Sequence, residues 1–147
     1  MTPIQQQCLD IVNRLNSVEY GNFFYPSEIM ATIQVESTFR PHAYRREPSG
    51  VASYGLCQVL DVTVKRLGLI GSPEQMYDPE TSIRYGMKCH KEDWDVLSAH
   101  FKRDPIYEEW TAAYNEGVGN VFKGREDAAY TAVWIAAREH WAPLVDQ

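Results

Sequence analysis

The longest run of helical spacing in this chain opens at Asp78-Pro79 and continues through Ile83, Met87, His90, Trp94, Leu97 and Phe101. Steps of three and four residues put these side chains on one face of an α-helix. The start is marked twice, because an aspartate can accept a hydrogen bond from a free first-turn N–H and a proline tolerates the position where no N–H is needed. A stripe of this length predicts the central buried helix of the molecule. Every other element must then supply a face to cover it.

The remaining stripes are shorter and also helical. Thr2-Pro3-Ile4-Gln5 matches a capping box with proline at the first helical position, and Ile4, Cys8, Ile11, Val12 and Leu15 follow along one side. Residues 16–25 read as a connection turning at Gly21-Asn22, with Phe23, Phe24 and Tyr25 docking it on the core. Pro26 to Pro41 brackets a short helix, since proline suits a first turn and stops a helix that reaches it. Residues 55–67 predict another helix, through Leu56, Val59, Thr63 and Leu67, with Gln58 in its first turn and Gly68 as terminator. Asp104-Pro105 opens one carrying Tyr107, Trp110 and Tyr114 and broken at Gly117 and Gly119. The last starts near Glu126, shows Tyr130, Val133, Trp134, Ala137 and Trp141 on one face, and ends at Pro143. Between them, residues 41–54 carry two prolines and no helical period, which fits a surface loop or a small irregular hairpin. No stretch alternates as a strand does, so the expected fold is mainly α with little or no β. At 147 residues and 44% hydrophobic content, one domain spanning residues 1–147 accommodates the whole chain.

Charge and cysteine usage exclude several functions. A net charge of −6 and a pI near 5.2 leave no global basic field for nucleic acid or an anionic membrane. Residues 1–7 contain neither a basic segment nor an apolar core, and no later run approaches a membrane span, so the chain is expected to be made in the cytoplasm without a signal peptide. Cys8, Cys57 and Cys89 are odd in number and lack CxxC spacing, which suits buried small side chains rather than a disulfide framework. His42, His90, His100 and His140 lack metal-ligand spacing, so neither a metal nor another cofactor is expected.

Chemistry enters with Glu36. Ile29, Ile33 and Glu36 fall at i, i+4 and i+7, which puts a carboxyl on the face of two β-branched residues in the last turn of a helix. Partial burial and the nearby helix C-terminus both disfavour its charged form. A carboxyl that keeps its proton near neutral pH can serve as a general acid. Spacing alone favours a glutamate at a helix end that points into solvent.

Three further pieces narrow the choice: Glu36-Ser37-Thr38-Phe39, Tyr54-Gly55-Leu56-Cys57-Gln58 and Ala113-Tyr114-Asn115-Glu116-Gly117. In order and spacing they resemble the soluble lytic transglycosylase family, whose pattern is Glu-Ser-x-Phe, then Gly-Leu-Met-Gln, then Ala-Tyr-Asn-x-Gly. Residues 78–86, Asp-Pro-Glu-Thr-Ser-Ile-Arg-Tyr-Gly, look like that family's Asp-Pro-x-x-Asn-Ile-x-x-Gly helix start, and Tyr130 matches a late tyrosine. The resemblance covers roughly residues 26–142. It departs at Cys57, where the family usually has methionine, at Asp61, where proline is common, and at Tyr54, which replaces a small residue.

The resemblance implies a lysozyme-like fold related to goose-type lysozyme, and a peptidoglycan lytic transglycosylase. Glu36 would protonate the oxygen of a β-1,4 bond between N-acetylmuramic acid and N-acetylglucosamine and then act as base. The C6 hydroxyl of the same muramic acid would close a 1,6-anhydro ring, so no second catalytic carboxylate is needed. Ser37, Tyr54, Gln58, Tyr114, Asn115 and Tyr130 would bind the sugar or orient the acid. Arg45-Arg46 either touches the anionic glycan or is a solvated loop pair. The expected partner is the glycan strand, engaged by a monomer. The expected setting is a bacteriophage enzyme acting on the cell wall, as an endolysin served by a holin or as part of the virion. Two alternatives stand beside this one: a lysozyme in which water makes the second attack, and a wall-binding or virion structural protein without turnover.

Overall fold

In a computed structural model, which describes residues 1–125 and 127–147, the Asp78-Pro79 stripe is a single helix, α4 (Pro79–Phe101), taking its label from its place in the chain. Asp78 caps it by accepting from Thr81 N–H at 3.0 Å. Ile83, Met87 and Leu97 are wholly buried along it and His90 nearly so. Each large apolar side chain hidden in this way contributes about 2 kcal/mol or more.

Before α4 come α1 (Pro3–Tyr20) and α2 (Pro26–Ser37). The expected capping box is formed at Thr2 and Gln5. α1 runs five residues beyond Leu15 and ends at Gly21 in the left-handed conformation, so part of the expected connection is helical. The buried Asn16 explains the extension: its side-chain amide pairs with both backbone groups of Phe24, at 2.8 and 3.0 Å, and ties the returning chain to the helix. α2 stops at Ser37, before Pro41 is reached, because Thr38 and Phe39 both adopt positive φ.

Residues 41–60 depart most from the reading of the sequence. β1 (Tyr44–Arg46), β2 (Ala52–Tyr54) and β3 (Val59–Leu60) form a small antiparallel sheet in the order β1-β2-β3. Tyr44 faces Tyr54 across the first pair and Tyr54 faces Val59 across the second. Strands of two and three residues are too short to show alternation, and their stability comes from the helices that cover Ala52, Tyr54 and Val59. The helix expected over 55–67 is therefore split. Residues 55–58 make a turn, and only α3 (Asp61–Arg66) is helical. Gln58 lies in that turn at φ +51° rather than in a helix.

After α4 come α5 (Tyr107–Glu116), α6 (Val118–Phe122) and α7 (Ala128–Val145). Gly117 interrupts the chain as expected, at φ +92°, but Gly119 lies inside α6. Glu126, near which the last helix was expected to start, lies outside the described residues. Pro143 is accommodated inside α7 instead of ending it, and Val133 is exposed rather than on the buried face. No helix among the described residues is long and apolar enough to cross a membrane.

The packing of α2 along α7 positions the site. Trp134 and Trp141 direct their indole N–H groups from α7 to Thr32 Oγ1 at 3.0 Å and Gln34 Oε1 at 2.7 Å. Asp146, which follows α7, accepts from the N–H and hydroxyl of Ser27 at the start of α2, at 2.8 and 2.5 Å. Buried aromatic area and satisfied donors together fix the depth and rotation of the helix that carries Glu36.

Candidate active site

Glu36 projects from the last turn of α2 into a cleft of about 700 Å³ whose walls include Gln58, Asp93, Tyr114, Gly117 and Tyr130. The carboxyl is partly buried. Loss of hydration raises its pKa from the ordinary 4.5 to about 7, opposed by the hydroxyl of Tyr130, which donates to Oε2, and by the charge of Arg45. Near neutral pH the group is thus divided between its acid and base forms. The same contact, with burial, pushes the Tyr130 phenol far above its usual range, so Tyr130 remains a donor.

Gly55-Leu56-Cys57-Gln58 is the turn that brings Gln58 to the cleft, and hydrogen bonds on both sides hold it. Gly55 N–H donates to Ala43 O at 2.8 Å and Cys57 N–H to the buried Ser82 Oγ at 3.1 Å. Cys57 O accepts from the Tyr114 hydroxyl at 2.6 Å. The Gln58 amide nitrogen donates to Ala43 O and Gly55 O at 3.0 and 2.9 Å. Fixing Nε2 in this way identifies the amide oxygen as the atom left to accept from a ligand. Two glycines make the turn possible. A Cβ on Gly55, at φ +81°, would lie 2.1 Å from Met76 O, and one on Gly86 would lie 2.6 Å from Cys57 Sγ. The smaller sulfur side chain at 57 is buried against α4 instead of opening into the cleft.

Tyr114 is held from behind by a residue that the sequence placed only on the buried stripe of the central helix. The His90 ring stacks on it at 4.0 Å between centroids and 12° between planes, while His90 Nε2 pairs with Thr32 Oγ1 at 2.8 Å. Burial lowers the His90 pKa to about 3, so the imidazole is neutral. Asn115 is exposed at the end of α5 and donates to Asp127 Oδ2 at 3.3 Å. Asp127 in turn caps α7 by accepting from Tyr130 N–H at 3.0 Å. Asn115 thereby connects the end of α5 to the start of the helix that carries Tyr130.

Glu36, Gln58, Tyr114, Asn115 and Tyr130 line one cleft. Ser37 and Tyr54 do not. Ser37 is buried and its hydroxyl donates to Ile33 O at 3.0 Å, inside the turn that presents Glu36. Tyr54 is turned into the sheet, edge-on to Tyr44 and tilted against Tyr77. Arg45 lies on the cleft wall with Glu47 at 3.6 Å. Asp127, Ser82 and His90 were not singled out as site residues, since only contacts between distant segments give them their positions. Helical spacing does carry a signal for Asp93, one turn beyond Cys89 and two beyond Gly86 on the face of α4 that meets the cleft. Among the described residues no group of His, Cys, Asp and Glu has metal-binding geometry.

The family model described as the transglycosylase SLT domain matches residues 19–134. The chain is also similar to the 70 kDa soluble lytic transglycosylase SLT70 from Escherichia coli, with a TM-score of 0.60 and 26% identity over 88% of this chain and 21% of that one. A complex of the 70 kDa soluble lytic transglycosylase with bulgecin A matches with the same TM-score at 27% identity, again over 88% and 21%. The chain thus spans about one fifth of the length of the structures it matches.

Proposed function

From the premise that this chain belongs to the transglycosylase SLT domain family, we propose that it is a peptidoglycan lytic transglycosylase with Glu36 as its acid and base. The observation that carries the reading is the state of Glu36: partly buried in a cleft, raised to about 7, and oriented by a phenol that stays protonated. The Glu36 proton passes to the oxygen linking N-acetylmuramic acid to N-acetylglucosamine, and the bond from that oxygen to the anomeric carbon breaks. The resulting carboxylate takes the proton of the muramic acid C6 hydroxyl, whose oxygen then bonds to the anomeric carbon and closes the 1,6-anhydro ring. Proton and bond counts balance without water. The Gln58 amide oxygen is free to accept from the N–H of an acetamido group, and Tyr114 and Tyr130 give the sugar ring a flat wall.

A hydrolytic second step is the other reading, and the position of Glu47 favours it. This carboxyl lines the same cleft and could hold an attacking water. Mass spectrometry of digested, purified peptidoglycan distinguishes the two. Anhydromuramic ends are expected; reducing muramic ends alone would establish the hydrolase. Glu36→Gln is expected to lower wall clearing by at least about a thousandfold while glycan binding persists. Clearing at the parent rate would remove Glu36 from the chemistry.

A further inference from the structure

Asp93 is a charged group that the mechanism does not use. It lies on α4, half-buried, on the cleft wall. Its helix face is otherwise committed to the interior: Gly86, seven residues earlier, packs on Cys57, and the buried His90, three residues earlier, stacks on Tyr114. An apolar side chain would be the stable choice at this position. The neighbouring cation, Arg66, is bonded to both oxygens of Glu92 instead, at 3.0 and 2.8 Å. Among the described residues Asp93 makes no hydrogen bond or ion pair. A carboxyl that loses water without gaining a partner costs stability, so an occupant of the cleft is the natural source of one.

We propose that Asp93 is a glycan-binding residue that hydrogen-bonds a hydroxyl or acetamido group of a sugar beyond the pair joined at the scissile bond. The inference rests on the reading that the cleft holds a glycan. The two carboxyls enter the cleft from different elements: Glu36 from the end of α2, against Tyr130 of α7, and Asp93 from the middle of α4, next to Glu92, which holds Arg66 at the end of α3. Cys89, four residues earlier on α4, and Glu116, at the end of α5, also line the cleft. Burial and the Glu92 charge raise the Asp93 pKa to about 7, with Arg66 opposing. A sugar laid over the carboxyl removes more water and favours the protonated form, which donates its O–H to a sugar oxygen.

The test measures binding of two peptide-free probes, alternating N-acetylglucosamine and N-acetylmuramic acid as a disaccharide and as a tetrasaccharide, to the full chain carrying Glu36→Gln so that neither is consumed. Adding Asp93→Leu should weaken tetrasaccharide binding about tenfold and leave the disaccharide unchanged. Asp93→Asn, which still offers a donor, should recover most of the loss. With Asp93 present, tetrasaccharide affinity should fall up to about tenfold between pH 6 and pH 8, and Asp93→Asn should remove that dependence. Asp93→Leu should also melt at or above the temperature of its parent at pH 8, which separates lost binding from lost folding. Equal tetrasaccharide affinity in all three proteins, or a loss shared equally by the disaccharide, overturns the assignment. Failure of the Glu36→Gln protein to bind either probe overturns it together with the glycan reading, whereas binding that ignores Asp93 overturns it alone.

Discussion

Replacing Glu36 by glutamine should stabilise the protein increasingly as pH rises above about 4.5, with the full effect above about 7. The folded-state pKa of Glu36 is raised from 4.5 to about 7, so the native state binds the proton more tightly than the unfolded chain does. The sign follows from linkage. The stability associated with this group is fully present below about pH 4.5, falls as pH rises towards 7, and is gone above it. Across the interval from 4.5 to about 7, at about 1.36 kcal/mol per pH unit, the full effect is ~3 kcal/mol, and the residual hydration of a partly buried carboxyl brings it to about 2 kcal/mol. Glutamine matches the protonated acid in shape and can still accept from the Tyr130 hydroxyl. At pH 4.5 the parent and Glu36→Gln should therefore melt together. At pH 8 the variant should melt about 4–8 °C higher. Thermal unfolding followed by circular dichroism at both values measures this, and subtracting one protein from the other cancels the similar titration of Asp93. A melting difference that is the same at pH 4.5 and pH 8 would refute the argument that burial holds the proton on Glu36.

Three further outcomes test the site. Activity should fall as pH rises through about 7, and Tyr130→Phe should move that limb upward by about one pH unit, because it removes a donor that favours the carboxylate; pH–rate profiles measure both. Gly55→Ala should cost at least ~2 kcal/mol, seen as a lower denaturation midpoint, since the new methyl meets a backbone carbonyl at 2.1 Å and the residue must keep φ at +81°. Gly86→Ala should cost about 1–3 kcal/mol by pressing on the Cys57 side chain, and in a Cys57→Gly background, which lacks both Sγ and Cβ, the same change should cost much less; an equal cost in both backgrounds would show that the two side chains do not meet.

Repeated physical signals made much of the helical framework legible in the sequence. The Asp78-Pro79 start and the stripe from Ile83 to Phe101 define α4 because cap, proline and spacing all act within a few turns. The place of Glu36 was legible for the same reason, since its helix and apolar face are local, but its burial was not, because elements distant in sequence close over it. The three-stranded sheet was not, because strands this short have no pattern of their own and are held by the helices above them. Nor were the ends of α2 and α7, where left-handed residues stop one helix early and the other admits a proline near its terminus. Ser37 and Tyr54 lie beside cleft residues in sequence yet turn away from the cleft, because rotation about a helix or a strand sends neighbouring side chains in different directions.

The sequence by itself determined that a carboxyl would stand at the end of a short apolar helix, with amide and phenol groups available to surround it. Tertiary structure decided which of those groups reach it. α7 brings Tyr130 to Glu36 across 94 residues of sequence, and α4 holds Tyr114 through His90. It also leaves Asp93 facing the same cleft. Helical spacing is set by neighbours along the chain, whereas desolvation and hydrogen bonding at the site are set by whatever packs across from it.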